Sequence, residues 1–199
     1  MDKSLGIKTR LRFTTIENIF KYPIKKRLPD YIVDLLHSLM QYDDVINTIL
    51  HFIQQPQNLV TLIEIFKVFY SYFQEHPEKI KNPNFSEKVL LSILNCININ
   101  ASNQKSTSNA NNLKIDNQTM ELIYYSAKFS SLMVSELPEL LHPMPTNPYV
   151  LTFLLATTSC LNNEDFDELL PFVEPFFTSK LTLSPYSFGT ICIMSTHDK

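Results

Sequence analysis

Glycine is nearly missing from this chain: Gly6 and Gly189 are all that its 199 residues contain. Glycine supplies the positive φ of tight hairpins and lets backbone come close to phosphate. Its scarcity therefore argues against sheet-rich folds, and against dinucleotide and phosphate-loop sites, which need several glycines in a short span. Tryptophan is absent too, so the aromatic part of the core rests on 14 Phe and 9 Tyr. Cysteine occurs three times, as Cys96, Cys160 and Cys192, each within an apolar pattern and none in a CxxC or Cys/His ligand set. They read as reduced, buried small hydrophobes of an intracellular protein. No N-terminal stretch combines a basic head, a long apolar run and a small-residue cleavage site. The most apolar run, Tyr149 to Leu161, has 13 residues, short of the roughly 20 that span a bilayer. The chain reads as soluble, without a membrane span and not secreted.

What is present is apolar, proline-punctuated and electrically lopsided. Hydrophobic residues make up 44% of the chain, enough for one domain with a sizeable core. The net charge of −3 hides a gradient. Residues 1–28 hold eight Lys/Arg against two acids, whereas residues 115–199 hold three against ten. The twelve prolines fall mostly where apolar periods begin or end, as boundaries between helices.

Thr14 with Glu17 has the spacing of a capping box and predicts a short helix from there through Phe20 or Lys21; Met1 to Phe13 is only loosely patterned. "YPIKKRLPD" is a basic connector. From Pro29, the residues Tyr31, Ile32, Leu35, Leu36, Leu39 and Met40 repeat at helical spacing and define one apolar face. Asp43 or Asp44 is placed to cap the next helix, whose face is Val45, Ile49, Phe52 and Ile53. Asn58 opens "LVTLIEIFKVFYSYF", in which only Glu64 and Lys67 are charged. A helix apolar on every side has neighbours on several sides, so this one belongs at the centre. Strand is the competing assignment, and the length favours helix. A helix over about Phe85–Ile97 follows, with Asn84 as its candidate cap. Residues 98–117 are rich in Asn and Ser and predict a flexible loop. Beyond them lie a long helix over about Gln118–Ser135, an uncharged helix from Pro148, an acidic-capped one in "NNEDFDELLPFVEPFF", and a last apolar helix from Pro185.

Two of these helices start alike. "NPYVLTFLLATTSCLNN" and "SPYSFGTICIMST" each place a cap residue, then Pro, then Tyr, before an apolar ladder, and their prolines are 37 residues apart. One amphipathic helix lies between them, so they make a candidate helical repeat. "DELLPFVEPFF" resembles the second helix of HEAT-type repeats, with "ELPELLHP" as a fainter echo. Residues 118–199 thus resemble a HEAT/armadillo-like α-solenoid, and residues 29–97 show generic helix pairs. The expected fold class is all-α, antiparallel helix pairs stacked as a short α-solenoid, with an irregular helical bundle as the rival. The expected organisation is a basic segment, 1–28, and a single helical domain, 29–199. A terminal repeat needs a polar outer face, yet the last helix is apolar. Continuation of the chain past Lys199 is the favoured account; packing back on the core and a bound partner are the others.

The search for chemistry returns little. Histidines 37, 51, 76, 142 and 197 are scattered; Asp34 and His37 share a helix face without a third ligand or a nucleophile nearby in sequence. There is no HExxH, GxSxG or Cys/His signature, and no catalytic residue, cofactor or metal is expected. Glu164, Asp165, Asp167 and Glu168 fall within one helical turn, where they complement the helix dipole and face water; a candidate acidic docking patch is their functional reading. The basic head carries more weight. Lys8, Arg10, Arg12, Lys21, Lys25, Lys26 and Arg27 surround Phe13, Phe20 and Tyr22 and form a candidate site for an anionic partner. Three functions follow: a non-enzymatic protein–protein interaction scaffold or complex subunit, a nucleic-acid or chromatin-associated helical module using the basic segment, and an enzyme whose site forms only in three dimensions. The first is the expectation, with protein partners in the nucleus or cytoplasm.

Overall fold

A computed structural model describes residues 3–21, 24, 27–55, 57–80, 83–102, 117–136, 153–154, 156–157 and 160–161. Of these residues 86% are helical and none is in a strand, which makes the protein all-α. Six helices are described: α1 (Lys3–Phe20), α2 (Asp30–Met40), α3 (Asp43–Ile53), α4 (Leu59–Glu75), α5 (Pro83–Ser102) and α6 (Asn117–Ser130). Two 3-10 segments, Pro77–Lys79 and Ser131–Glu136, follow α4 and α6. The expected helices from Pro148 onward are described only at Phe153, Leu154, Ala156 and Thr157, which are helical and buried, and at Cys160 and Leu161, which form a turn and a bend and are half-buried. The repeat at Pro185 and the DELLP helix lie outside the described residues.

Helix α4 forms as its composition requires. Asn58, in extended conformation, accepts a hydrogen bond from the Val60 N–H at 2.9 Å and so satisfies one of the orphan donors of the first turn. Around the helix, Leu62, Ile63, Ile65, Phe66, Val68, Phe69, Tyr72 and Phe73 are all buried. No single stripe could bury them, so α4 lies between α2 on one side and α6 on the other. Phe129 of α6 is the principal knob from that side, with ring centroids 6.5, 5.3 and 5.4 Å from Phe66, Phe69 and Phe73.

The helices meet their second neighbours in two series. Helix α1 packs on α3 and α3 on α5; α2 packs on α4 and α4 on α6. The series are joined where α2 meets α3 and α5 meets α6. One continuous core runs through both, from Ile16 of α1 to Ala156.

Boundaries depart from the sequence pattern in four places. Helix α1 begins at Lys3, eleven residues before Thr14, and Thr14 sits inside it. Asp43 and Asp44 lie in the first turn of α3, with Tyr42 at the cap position and no side-chain cap bond. Helix α5 starts at Pro83, a favoured first-turn residue, and runs through the Asn-rich residues 98–102, so the segment beyond description is 103–116. The helix expected over 118–135 instead ends at Ser130 and continues as 3-10, with Met133 at φ −132° and ψ 30°. Ser126 and Ser131 each return their hydroxyl to a carbonyl three residues back, the local competition that bends helices.

Candidate functional site

Helix α1 carries the first part of the predicted basic site. Its inward face is held by Ile16 and Phe20, both buried, with the Phe20 ring stacked 4.9 Å from Phe52 of α3. At about 100° per residue, the opposite side presents Ile7 and Leu11, four residues apart. They are 62% and 63% exposed, and Phe13 nearby is 46% exposed. Lys8 and Arg10 flank them and are also exposed. A helix with one face docked and the other still apolar and cationic is what this segment offers to solvent.

Arg12 has a different place. Its Nε and Nη2 donate to Asp44 Oδ2 at 3.2 and 2.8 Å, Nη2 also reaches Thr9 Oγ1 at 3.2 Å, and the guanidinium lies 4.1 Å over the Tyr42 ring. A planar fork paired with a carboxylate and stacked on an aromatic face is a clamp, and it fixes α1 to the start of α3. Lys21 is exposed. Arg27 pairs with Asp30 at 3.1 Å with both side chains largely in water, where such a pair contributes little. Lys25 and Lys26 lie outside the described residues, as do Glu164, Asp165, Asp167 and Glu168. Of the seven basic positions, the structure thus leaves Lys8 and Arg10 exposed on the two flanks of the Ile7 and Leu11 stripe and gives Arg12 to the fold.

A second polar locus, between α2, α4 and α6, was not singled out as a site in the sequence. Glu64 is only 6% exposed. Its Oε2 accepts from the Leu28 N–H at 2.8 Å and its Oε1 from Lys67 Nζ at 2.9 Å. Lys67 also reaches Glu121 Oε1 at 3.4 Å and lies 4.5 Å over the Tyr125 ring. Burial works against the Lys67 ammonium, but the hydrogen bond and charge of Glu64, with the charges of Tyr125 and Glu121, outweigh it and hold its pKa above the usual value. Nearby, Thr61 Oγ1 accepts from the Ile24 N–H at 3.1 Å. Glu64 and Thr61 thus tie the connector between α1 and α2 onto the central helix. A cleft of about 390 Å³ opens here, lined by Arg27, Val33, Glu64, Lys67, Ser71 and Tyr125 among others. The signal for the locus was in the sequence: two opposite charges three residues apart in an otherwise apolar helix.

The cleft also holds a serine beside an imidazole. His37 Nε2 is 3.0 Å from Ser71 Oγ. The Val68 carbonyl, 3.1 Å from Ser71 Oγ, is a second acceptor for the same hydroxyl, and the direction of the His37–Ser71 bond follows from the imidazole tautomer. The pair joins α2 to α4, next to Tyr72, whose ring meets His37 edge-on at 5.6 Å. Lys67, for its part, is held charged between carboxylates. The locus therefore presents paired charges beside a serine–imidazole contact.

Among the described residues, no three of His, Cys, Asp and Glu converge so as to hold a metal ion, and no helix is long and apolar enough to cross a membrane. Cys96 is buried, Cys160 is half-buried, and neither is in a disulfide. Comparison with protein families, with characterised proteins and with solved structures gives no match to this chain.

Proposed function

We propose that this protein is a non-enzymatic protein–protein interaction module, a scaffold or the subunit of a larger complex, built from helix pairs stacked as a short α-solenoid. The observation that carries the functional part is the outer face of α1, where Ile7 and Leu11 stand in water with Lys8 and Arg10 on their flanks while the inner face is fastened to α3. Exposed apolar side chains rimmed by polar ones mark surfaces that meet a partner. The architectural part is supported by the two series of second-neighbour contacts, the pattern of an array in which each helix is sandwiched by its counterparts in adjacent repeats. The charge pairing in the α2–α4–α6 cleft supports a binding rather than a catalytic role.

The test is purification of the full chain with its stable protein partners, beside an Ile7→Asp/Leu11→Asp variant whose helicity matches by circular dichroism. The reading expects a stoichiometric partner that the variant loses. Recovery of the chain alone, or equal recovery by the variant, overturns it. The second reading, a nucleic-acid-associated module, is favoured by the exposure of Lys8 and Arg10 together with the KKR run at residues 25–27. It predicts retention on heparin that falls steeply with salt and is lost when Lys25, Lys26 and Arg27 are neutralised.

A further inference from the structure

We propose that the outward face of α1 docks the acidic segment Glu164–Glu168 of a second copy of this chain, so that copies join head to tail. The inference deepens the interaction reading by naming the partner surface.

Two observations converge on it. The first is the chemistry of the face. Ile7 and Leu11 call for apolar side chains, Lys8 and Arg10 for carboxylates, and Glu17 is the one acid in α1. An occupant must supply both. A polyphosphate answers the cations and leaves Ile7 and Leu11 wet. The second is the composition of the chain itself. Residues 1–28 carry a formal charge of +6 and residues 115–199 one of −7. In the segment "EDFDELL", Glu164, Asp165, Asp167 and Glu168 are interleaved with Phe166, Leu169 and Leu170. That is the complementary mixture within seven residues. Contact between two different surfaces on successive copies is heterologous and open-ended, and it leaves a free head and a free tail at the ends of each chain of copies.

The experiment uses the full chain in analytical ultracentrifugation over a range of concentrations, at about 50 mM and about 500 mM salt, between which exposed charge pairs are strongly screened. Self-association is expected at low salt, weakened at least tenfold at high salt. Reversing the head (Lys8→Glu/Arg10→Glu) or the tail (Glu164→Lys/Asp165→Lys) should each weaken it by about tenfold or more, with helicity by circular dichroism unchanged. The deciding step is the mixture. The head-reversed and tail-reversed chains, each dissociated alone, should associate with one another, because each restores the opposite charge that the other lacks. A chain that stays monomeric at about 100 μM and low salt overturns the proposal. So does association indifferent to the reversals, a silent mixture, or cross-linking of head to tail within a single copy. A monomeric chain that still purifies with a foreign protein through Ile7 and Leu11 overturns head-to-tail joining while leaving the interaction reading in place. A monomeric chain that binds only oligonucleotides through Lys8 and Arg10 overturns both.

Discussion

Arg12 shows how one residue can change meaning between sequence and structure. In the chain it is one of eight cations in the first 28 residues; in the fold it bonds to Asp44, 32 residues away, and covers Tyr42. Nothing local marks it off from Arg10, since the distinction is made by which side of α1 faces α3. Replacing Arg12 with Ala should cost about 1–3 kcal/mol, the range of a hydrogen bond to a charged partner with some cation–π contribution. Lys should restore only part of this, for lack of the fork. Urea unfolding of Arg12→Ala, Asp44→Ala and the double variant checks the claim, the coupling energy being the quantity that a merely solvated arginine would not show. Two other side chains set an alkaline limit. Burial pushes the Tyr72 phenol above its ordinary 10.0, with Glu78 and Asp43 adding to the rise and Lys79 opposing it. Lys67 is likewise raised above 10.5, its acidic neighbours outweighing burial. In both cases the unfolded chain loses the proton first while the fold retains it. Between the two pKa values the unfolded state binds fewer protons, so stability falls as pH rises. The contribution is complete below about pH 10 and is lost as pH climbs through the raised folded values. Chemical denaturation from pH 8 to 11 should show a midpoint that begins to fall near pH 10, with the fall reduced in Tyr72→Phe.

At the scale of elements, legibility tracked how far each pattern depended on its own residues. The run from Leu59 to Phe73 is apolar all round, and that alone required a central helix; Asn58 caps it as its residue type suggests. The face read for α2 was only half used. Leu36 and Met40 are buried, whereas Tyr31 is 71% and Leu35 38% exposed, because the stripe is wider than the surface that α3 and α4 present to it. The first turns of α1 and the last of α5 were illegible, since weakly patterned residues are helical there as extensions of packed segments. The aromatic contact between α4 and α6 was also beyond reach, because it pairs residues some sixty positions apart. It supplies the sharpest test of the packing. Phe129 is fully buried against Phe66, Phe69 and Phe73. Phe129→Ala should therefore destabilise the protein by about 3–5 kcal/mol, the range for emptying an aromatic site in a close-packed core. Phe129→Leu should cost markedly less, as most of the volume is kept. Denaturant midpoints with unchanged slopes would confirm this, and a loss below about 1 kcal/mol for the alanine variant would mean that α6 does not pack on α4 as described.

For the molecule as a whole, the arrangement of helices has an energetic consequence that composition could not give. The class was readable, because two glycines and long helical periods leave little else for the chain to be. The order of neighbours was not, because charge and apolar periodicity say how wide a face is and not which helix it meets. That order predicts a gradient of stability. Helix α4 packs on both sides and holds many of the largest buried side chains; α1 rests on α3 and turns Ile7, Leu11 and Phe13 to water. In a stack where each element gains most of its free energy from immediate neighbours, the end element opens most easily. Native-state hydrogen exchange should therefore find the slowest amides in α4, opening near the global unfolding free energy, and much faster ones in α1 before Arg12. Arg12→Ala should accelerate α1 further while leaving α4 close to the global value. If α1 itself matched α4, the chain would behave as a single cooperative bundle, and the proposal of a stacked array would give way to an irregular bundle. If the gradient appears and then vanishes at high protein concentration in low salt, the outer face of α1 is being covered by another copy, and protection measured amide by amide would locate the interface.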